Sequence, residues 1–253
     1  MERLDKFLSD HLTNSRSKAR DLIKSGRVSV NNVTVRSIDY KVDTNKDAVS
    51  CDGEQLGNKP SRTVLMLHKP AGCVTAVTDK TEKTVMEYLP AAYQKLRPVG
   101  RLDKETEGLL LFTDDGDLAH KLISPRHGIE KLYYAEHEGE CTDEDVAIFA
   151  QGCVLRDGTV CLPAGLEPQG AGKSLVRIRE GKYHQVRRML ASLGKPVTYL
   201  RRISEGGLCL GDLPVGMYRQ VTEEELATLL PVKIDEGSEG SWRGIVSKMS
   251  GAI

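Results

Sequence analysis

The sequence predicts an α+β protein: a small helix–helix–hairpin unit, then a larger domain in which strands and helices interleave. Three features carry this. Leu4, Phe7, Leu8 and Leu12, and then Ala19, Leu22 and Ile23, recur at helical spacing ahead of Gly26. From Thr63 onward, short apolar runs alternate with amphipathic stretches. Between the two lies Gly57-Asn58-Lys59-Pro60-Ser61, a polar run with the composition of a linker.

In the first unit, Thr13 to Ser15 interrupt the apolar pattern, Ser15 is placed to cap a second helix, and Gly26 is placed to end it. Val28 and Val30 alternate toward Asn31-Asn32, with Val33 and Val35 beyond. Asn tolerates positive φ, so the pair suits a tight hairpin turn. Strand texture continues to Leu56. In the larger domain, residues 64–68, 132–138 and 174–180 read as strands, as does the apolar LLLF before Asp114-Asp115-Gly116. Residues 84–89, 117–124, 143–152 and 184–194 read as helices, the last two closed by Gly152 and Gly194. The expected divisions are 1–60, 61–231 and a Gly- and Ser-rich tail over 232–253, partly disordered by composition.

Hydrophobic residues make up 39% and charged residues 28% of 253, enough for one large and one small soluble domain. Basic and acidic residues are equal at 36 each, so any attraction to a polyanion must be local. No apolar run is long enough to span a membrane, and the charged opening is not a signal peptide, so the cytoplasm is expected. The six cysteines form no CxxC pair and share no metal-ligand spacing with histidine. Reduced thiols, no disulfide and no metal are expected.

Arg16, Arg20, Lys24 and Arg27 fall within about a quarter turn of a helix, beside the Ala19/Leu22/Ile23 stripe. Arg36 and Lys41 extend the basic surface. Such a face suits the phosphates of structured RNA; the plain alternative is a solvated charged face. The whole run RLDKFLSDHLTNSRSKARDLIKSGRVSVNNVTV resembles the S4-type RNA-binding domain of ribosomal and RNA-modifying proteins. That resemblance implies an RNA partner and no chemistry.

The most informative stretch is GRLDKETEGLLLFTDDGDLAHKLISP, residues 100–125. Asp103 precedes a buried strand, with Arg101 and Thr106 close by, so the carboxylate is carried on rigid structure. GRLDKETEG resembles the signature loop of the pseudouridine synthases, in which the Asp is catalytic. HKPAG (68–72), KLY (131–133) and EGKYHQVRRML (180–190) match the family's other motifs in order. SPRHGIEKLYY and EGKYHQVRRM are most similar to the branch acting on small-subunit ribosomal RNA; the large-subunit branches usually carry Asn-Arg in place of Tyr183-His184.

The resemblance implies a mixed, mostly antiparallel sheet flanked by helices, and a cofactor-free isomerase converting a uridine of small-subunit (16S) ribosomal RNA to pseudouridine. It makes Asp103 the catalytic carboxylate and Tyr133 the platform for the flipped-out base, with Lys131 beside it. Arg101 and Leu208 are expected at the substrate. On the helix of HQVRRML, Arg187 lies at the edge of the apolar stripe and is expected to pair with Asp103, while Arg188 points toward phosphate. His127 and His184 read as structural or RNA-facing. Two other readings stay open: the same reaction on large-subunit RNA, and a non-catalytic assembly factor. A monomer is the family-like expectation.

Overall fold

The computed structural model describes residues 1–13, 15–44, 46–56 and 63–229; the predicted linker and the tail lie outside them. Contacts divide the chain into two compact units, with the boundary between Arg62 and Thr63.

The first unit runs β1 (Glu2–Arg3), α1 (Leu4–Leu8), a π-helical turn (Ser9–Thr13), α2 (Arg16–Lys24), β2 (Val28–Val30), β3 (Val33–Thr34), β4 (Lys41–Val42), β5 (Val49–Cys51) and β6 (Glu54–Leu56). Ser15 caps α2, its hydroxyl accepting from the Lys18 amide at 3.4 Å. Asn31 and Asn32 turn the β2–β3 hairpin at φ 51° and 64°. The first helix is shorter than its apolar spacing predicts. The π-turn widens the helix after Leu8, so Leu12 leaves the buried stripe and is exposed. His11 donates to the Phe7 carbonyl at 2.7 Å and stacks on the Phe7 ring.

Leu4, Phe7, Leu8, Ala19, Ile23, Val28, Val30 and Val49 form this unit's core. Asp5 is buried at its edge, accepting from Arg3 at 3.0 and 3.1 Å and from Arg20 at 2.9 Å. The bonds from Arg3, and then Arg20, outweigh the cost of burial and hold the Asp5 carboxyl at about 2. A folded pKa below the unfolded one stabilises above the unfolded value, and that stability is lost as pH falls through the folded one. Asp5→Asn is therefore expected to cost about 2 kcal/mol near neutral pH, a penalty that shrinks between about pH 4 and about pH 2. Hydrogen exchange of the α2 amides in the two proteins measures it.

The second unit continues with β7 (Val64–Lys69), β8 (Arg97–Val99), β9 (Glu107–Thr113), α3 (Gly116–Ile123), β10 (Lys131–His137), α4 (Asp143–Gln151), β11 (Gly165–Gly170), β12 (Lys173–Ile178), α5 (Gln185–Ser192), β13 (Val197–Glu205), β14 (Leu208–Cys209), β15 (Tyr218–Gln220) and α6 (Glu223–Leu229). The strands form one mixed sheet in the order β11-β12-β10-β13-β9-β7-β15, with β14 on β13 and β8 on β9. All pairings are antiparallel except β13 with β9, which meet in parallel at Arg201–Glu107 and Arg202–Gly108. Alternation along β7 sorts the core. Leu65 and Leu67 pack with Leu110, Phe112, Tyr133 and Leu200, while Val64 and Met66 pack with Leu109, Leu111, Leu118 and Leu208.

Residues 84–89, predicted as a helix, make only a 3₁₀ turn over Val85–Tyr88. Pro90 forces Leu89 into extended backbone and stops the turn after four residues. The predicted strands at 64–68, 132–138 and 174–180, and helices at 117–124, 143–152 and 184–194, match β7, β10, β12, α3, α4 and α5 to within a few residues. Gly108, at φ 115°, lets β9 and β13 close up: a Cβ there would lie 2.2 Å from the Arg202 carbonyl oxygen. Among the described residues no helix is long and apolar enough to cross a membrane, and all six cysteines are free.

Candidate active site

Asp103 sits in the loop between β8 and β9, where β9 begins its parallel pairing with β13. Every backbone carbonyl from Leu102 to Thr106 accepts a hydrogen bond. Thr75 Oγ1 donates to Leu102 O at 2.7 Å and accepts from Leu102 N at 3.2 Å. Asp103 O accepts from the Thr106 amide at 3.1 Å, and Lys104 O from the Gly72 amide at 2.8 Å. Arg187 Nη2 donates to Glu105 O at 3.1 Å. Lys69, wholly buried, gives its ammonium protons to Pro70 O, Lys104 O and Thr106 O at 2.9, 3.2 and 2.9 Å. Burial pushes the Lys69 pKa down, with Cys73, Glu105 and Asp103 opposing. The loop is thus immobilised through its backbone, and none of these bonds uses the Asp103 carboxylate.

That side chain opens into a cleft. Tyr133, Ile178, Val186 and Leu200 give it an apolar wall; Arg101, Thr106 and His184 add polar groups. The Thr106 hydroxyl is buried without a hydrogen-bond partner. His184 Nε2 lies 3.5 Å from Asp103 Oδ1. His184 opens α5 in the left-handed conformation, φ 48° and ψ 36°, which costs a non-glycine residue about 1–2 kcal/mol. Its ring stacks on Tyr183 at 3.9 Å between centroids and 14° between planes. The turn that imposes this is held from within. Gln185 Oε1 accepts from the Lys182 amide at 2.9 Å, and Gln185 Nε2 donates to buried Glu180 at 2.8 Å. Lys182 pairs with the same carboxylate, and Arg188 Nη1 donates to Tyr183 O at 3.3 Å.

Behind Tyr133 lies a buried ionic cluster. Arg202 donates from Nε to Leu109 O at 2.8 Å, and its Nη2 lies 3.3 Å from Glu205 Oε2. Lys131 Nζ lies 3.7 Å from Glu205 Oε1 and donates to Ile129 O at 3.3 Å. Burial, with Arg202 adding to it against the pull of Glu205, lowers the Lys131 pKa. Burial raises that of the Tyr133 phenol, with the charge of nearby Arg202 opposing. Tyr134 turns to the opposite face of the sheet, edge-on to Tyr199. Glu107, near Asp103 in sequence, is not in the cleft wall; Tyr199 donates to it at 2.8 Å and His68 Nε2 lies 3.1 Å from it.

Asp103, Arg101 and Tyr133 meet at the cleft; the other predicted substrate contacts do not. Arg187 makes no ion pair with Asp103. Its guanidinium bridges Glu105 O and Val197 O, at 3.1 and 3.2 Å, and so holds the loop instead of the carboxylate. Lys131 is drawn to Glu205. Leu208 packs on the far side of the sheet with Leu210 and Val64, and Leu200 lines the cleft in its place. Arg188 pairs with Asp157 at 2.6 Å. Of the basic face on α2, Arg16 and Lys24 are exposed, Arg20 binds Asp5, and Arg27 binds Asp52 at 2.5 and 2.8 Å.

Lys69, Thr75, His184 and Arg202 were not singled out by sequence as site residues. Lys69 lies in the matched HKPAG run, where a lysine inside an apolar strand is itself a signal. His184 lies inside the matched EGKYHQVRRML motif. Thr75 and Arg202 carry no local signal.

Such a sheet, with a backbone-clamped carboxylate beside an aromatic wall, defines a class. Residues 63–192 match the family model described as RNA pseudouridylate synthase, and residues 2–47 match the S4 domain. The chain belongs to the RNA pseudouridylate synthase family and is an isomerase. It is 40% identical over 232 residues to ribosomal small subunit pseudouridine synthase A of Escherichia coli (strain K12), covering 90% of this chain and 100% of that one. It is 35% identical to an uncharacterized RNA pseudouridine synthase of Bacillus subtilis, over 90% of this chain and 98% of that one. A crystal structure of a pseudouridylate synthase superposes with a TM-score of 0.65 at 34% identity, over 91% of this chain and 100% of that one.

Thr75→Val keeps the shape of the side chain but leaves the Leu102 amide and carbonyl unpaired in the interior. It is expected to lower stability by about 2–4 kcal/mol, read from denaturant unfolding, and to reduce turnover at temperatures where the variant is still folded.

Proposed function

We propose that this chain converts a uridine of small-subunit ribosomal RNA into pseudouridine, with Asp103 as the catalytic carboxylate, acting as a cytoplasmic monomer. The observation that carries the reading is Asp103 itself, a carboxylate on an immobilised backbone, facing a cleft walled by Tyr133, Ile178, Val186 and Leu200.

The chemistry asks for little else. The N1–C1′ bond breaks, the uracil turns, and C5 bonds to C1′; the C5 proton leaves and N1 gains one. The same atoms enter and leave, so no oxidant, reductant or group donor is consumed. Positive character at C1′, or the ribose proton whose removal starts an alternative route, requires an anion beside the sugar. Asp103 supplies it on either route. The Tyr133 ring holds the detached base by stacking, worth about 1–3 kcal/mol. Clamping the loop from Leu102 to Thr106 removes the reorganisation a mobile carboxylate would need. His184, 3.5 Å away, is placed to orient the carboxylate in the role foreseen for Arg187.

The first unit suits RNA held by shape and phosphate. Arg16 and Lys24 stand exposed along one side of α2. The choice of small-subunit RNA rests on the Escherichia coli relative, which is named for it.

Small-subunit ribosomal RNA transcribed with C5-tritiated uridine tests the whole reading. The wild-type chain is expected to release tritium from it and none from large-subunit RNA. Asp103→Asn should release none while binding the transcript within about threefold of wild type, a change too small to remove a major contact. Release from large-subunit RNA instead would move the substrate; undiminished release by Asp103→Asn would remove the carboxylate from the mechanism.

A further inference from the structure

Tyr183 is unusual for a large aromatic side chain: it is 76% exposed, at the lip of the cleft that holds Asp103. It is nevertheless fixed. One face of its ring lies on His184 at 3.9 Å and 14°. Its carbonyl is held by Arg188, and the turn around it by Gln185 and Glu180. His184 itself holds a left-handed backbone. An exposed aromatic in a strained, over-determined turn is a feature to be explained by something outside the chain.

What fits it is a flat, apolar, weakly polar-edged partner delivered next to the cleft. Basic side chains lie nearby: Lys182, paired with Glu180, and exposed Arg101 both line the cleft, and Arg188 is anchored between the Tyr183 carbonyl and Asp157. An exposed aromatic face beside a cleft with basic side chains is an arrangement that holds an unpaired nucleotide, base on ring and phosphate on guanidinium. We infer that the outer face of Tyr183 stacks an unpaired nucleobase flanking the target uridine, so that Tyr183 and His184 together form a second base platform beside that of Tyr133. The inference rests on the proposed reading of the cleft as a uridine site. It assigns Tyr183 to RNA positioning, with His184 linking that platform to the catalytic carboxylate at 3.5 Å.

Because Tyr183 is exposed, its replacement leaves the core intact, and unchanged unfolding curves would show this. Tyr183→Ala is expected to raise KM for small-subunit RNA about tenfold or more, with kcat within about threefold of wild type, as the loss of one base stack predicts. Tyr183→Phe should restore KM to within about twofold, since the ring and not the hydroxyl stacks. In the same preparations, Tyr183→Ala should weaken binding of an unstructured uridine-rich RNA oligonucleotide by a similar factor. The inference is overturned if Tyr183→Ala leaves both KM and oligonucleotide affinity within about twofold. It is also overturned if kcat alone falls, which would make the ring a support for His184, or if Phe does not rescue. A wild-type chain inactive on small-subunit RNA would count against the proposed function, while the oligonucleotide comparison would still decide the role of Tyr183.

Discussion

The catalytic half of this protein depends on one constraint: the loop bearing Asp103 is fixed by its carbonyl oxygens. Five consecutive carbonyls accept hydrogen bonds from Thr75, Thr106, Gly72, Lys69 and Arg187. These donors come from β7, from the segment after it, from the loop itself and from α5. A buried ammonium is costly unless its protons are taken up, and here three backbone oxygens take them. Folding and the placement of the carboxylate are therefore coupled. The elements that close the core also aim Asp103, whose side chain lines the cleft.

The sheet supplies the matching half of the cleft. Its one parallel contact, β9 against β13, brings the end of the Asp103 loop beside the strand that carries Leu200 and Arg202. Gly108 permits the close approach by having no Cβ. Arg202 then forms, with Glu205 and Lys131, an interior ionic cluster near Tyr133. Removing one member of such a cluster is far more costly than never having built it. That accounts for charged side chains being held in the middle of the sheet.

Much of this was legible in order. Asp103 stood out because a charged residue flanked by Gly and Arg preceded a wholly apolar strand. The hairpin at Asn31-Asn32 followed from the tolerance of Asn for positive φ, and α2 from Ser15 and a clean apolar stripe. β13 was not legible, although it is the longest strand. Arg201, Arg202, Ser204 and Glu205 give it the surface texture of a loop, and only burial of the Arg202–Glu205 pair makes it a central strand. The 3₁₀ turn at Val85–Tyr88 was hidden for the opposite reason, since its apolar spacing is helical and Pro90 decides its length.

By itself the sequence determined which residue types line up with which motif: the carboxylate, the lysine-x-tyrosine pair, the basic helix, the order of the units. Tertiary structure decided which of them meet. The amphipathic wheel sets Arg187 toward Asp103, yet it is drawn to backbone oxygens, and His184 takes the place at the carboxylate. Lys131 and Leu208 turn away for the same kind of reason, one claimed by a buried glutamate and the other by the opposite face of the sheet. Periodicity states the side of an element on which a residue lies. Which atom it touches depends on competition among all the hydrogen-bonding and apolar groups that the fold brings within reach, and that competition is settled in three dimensions.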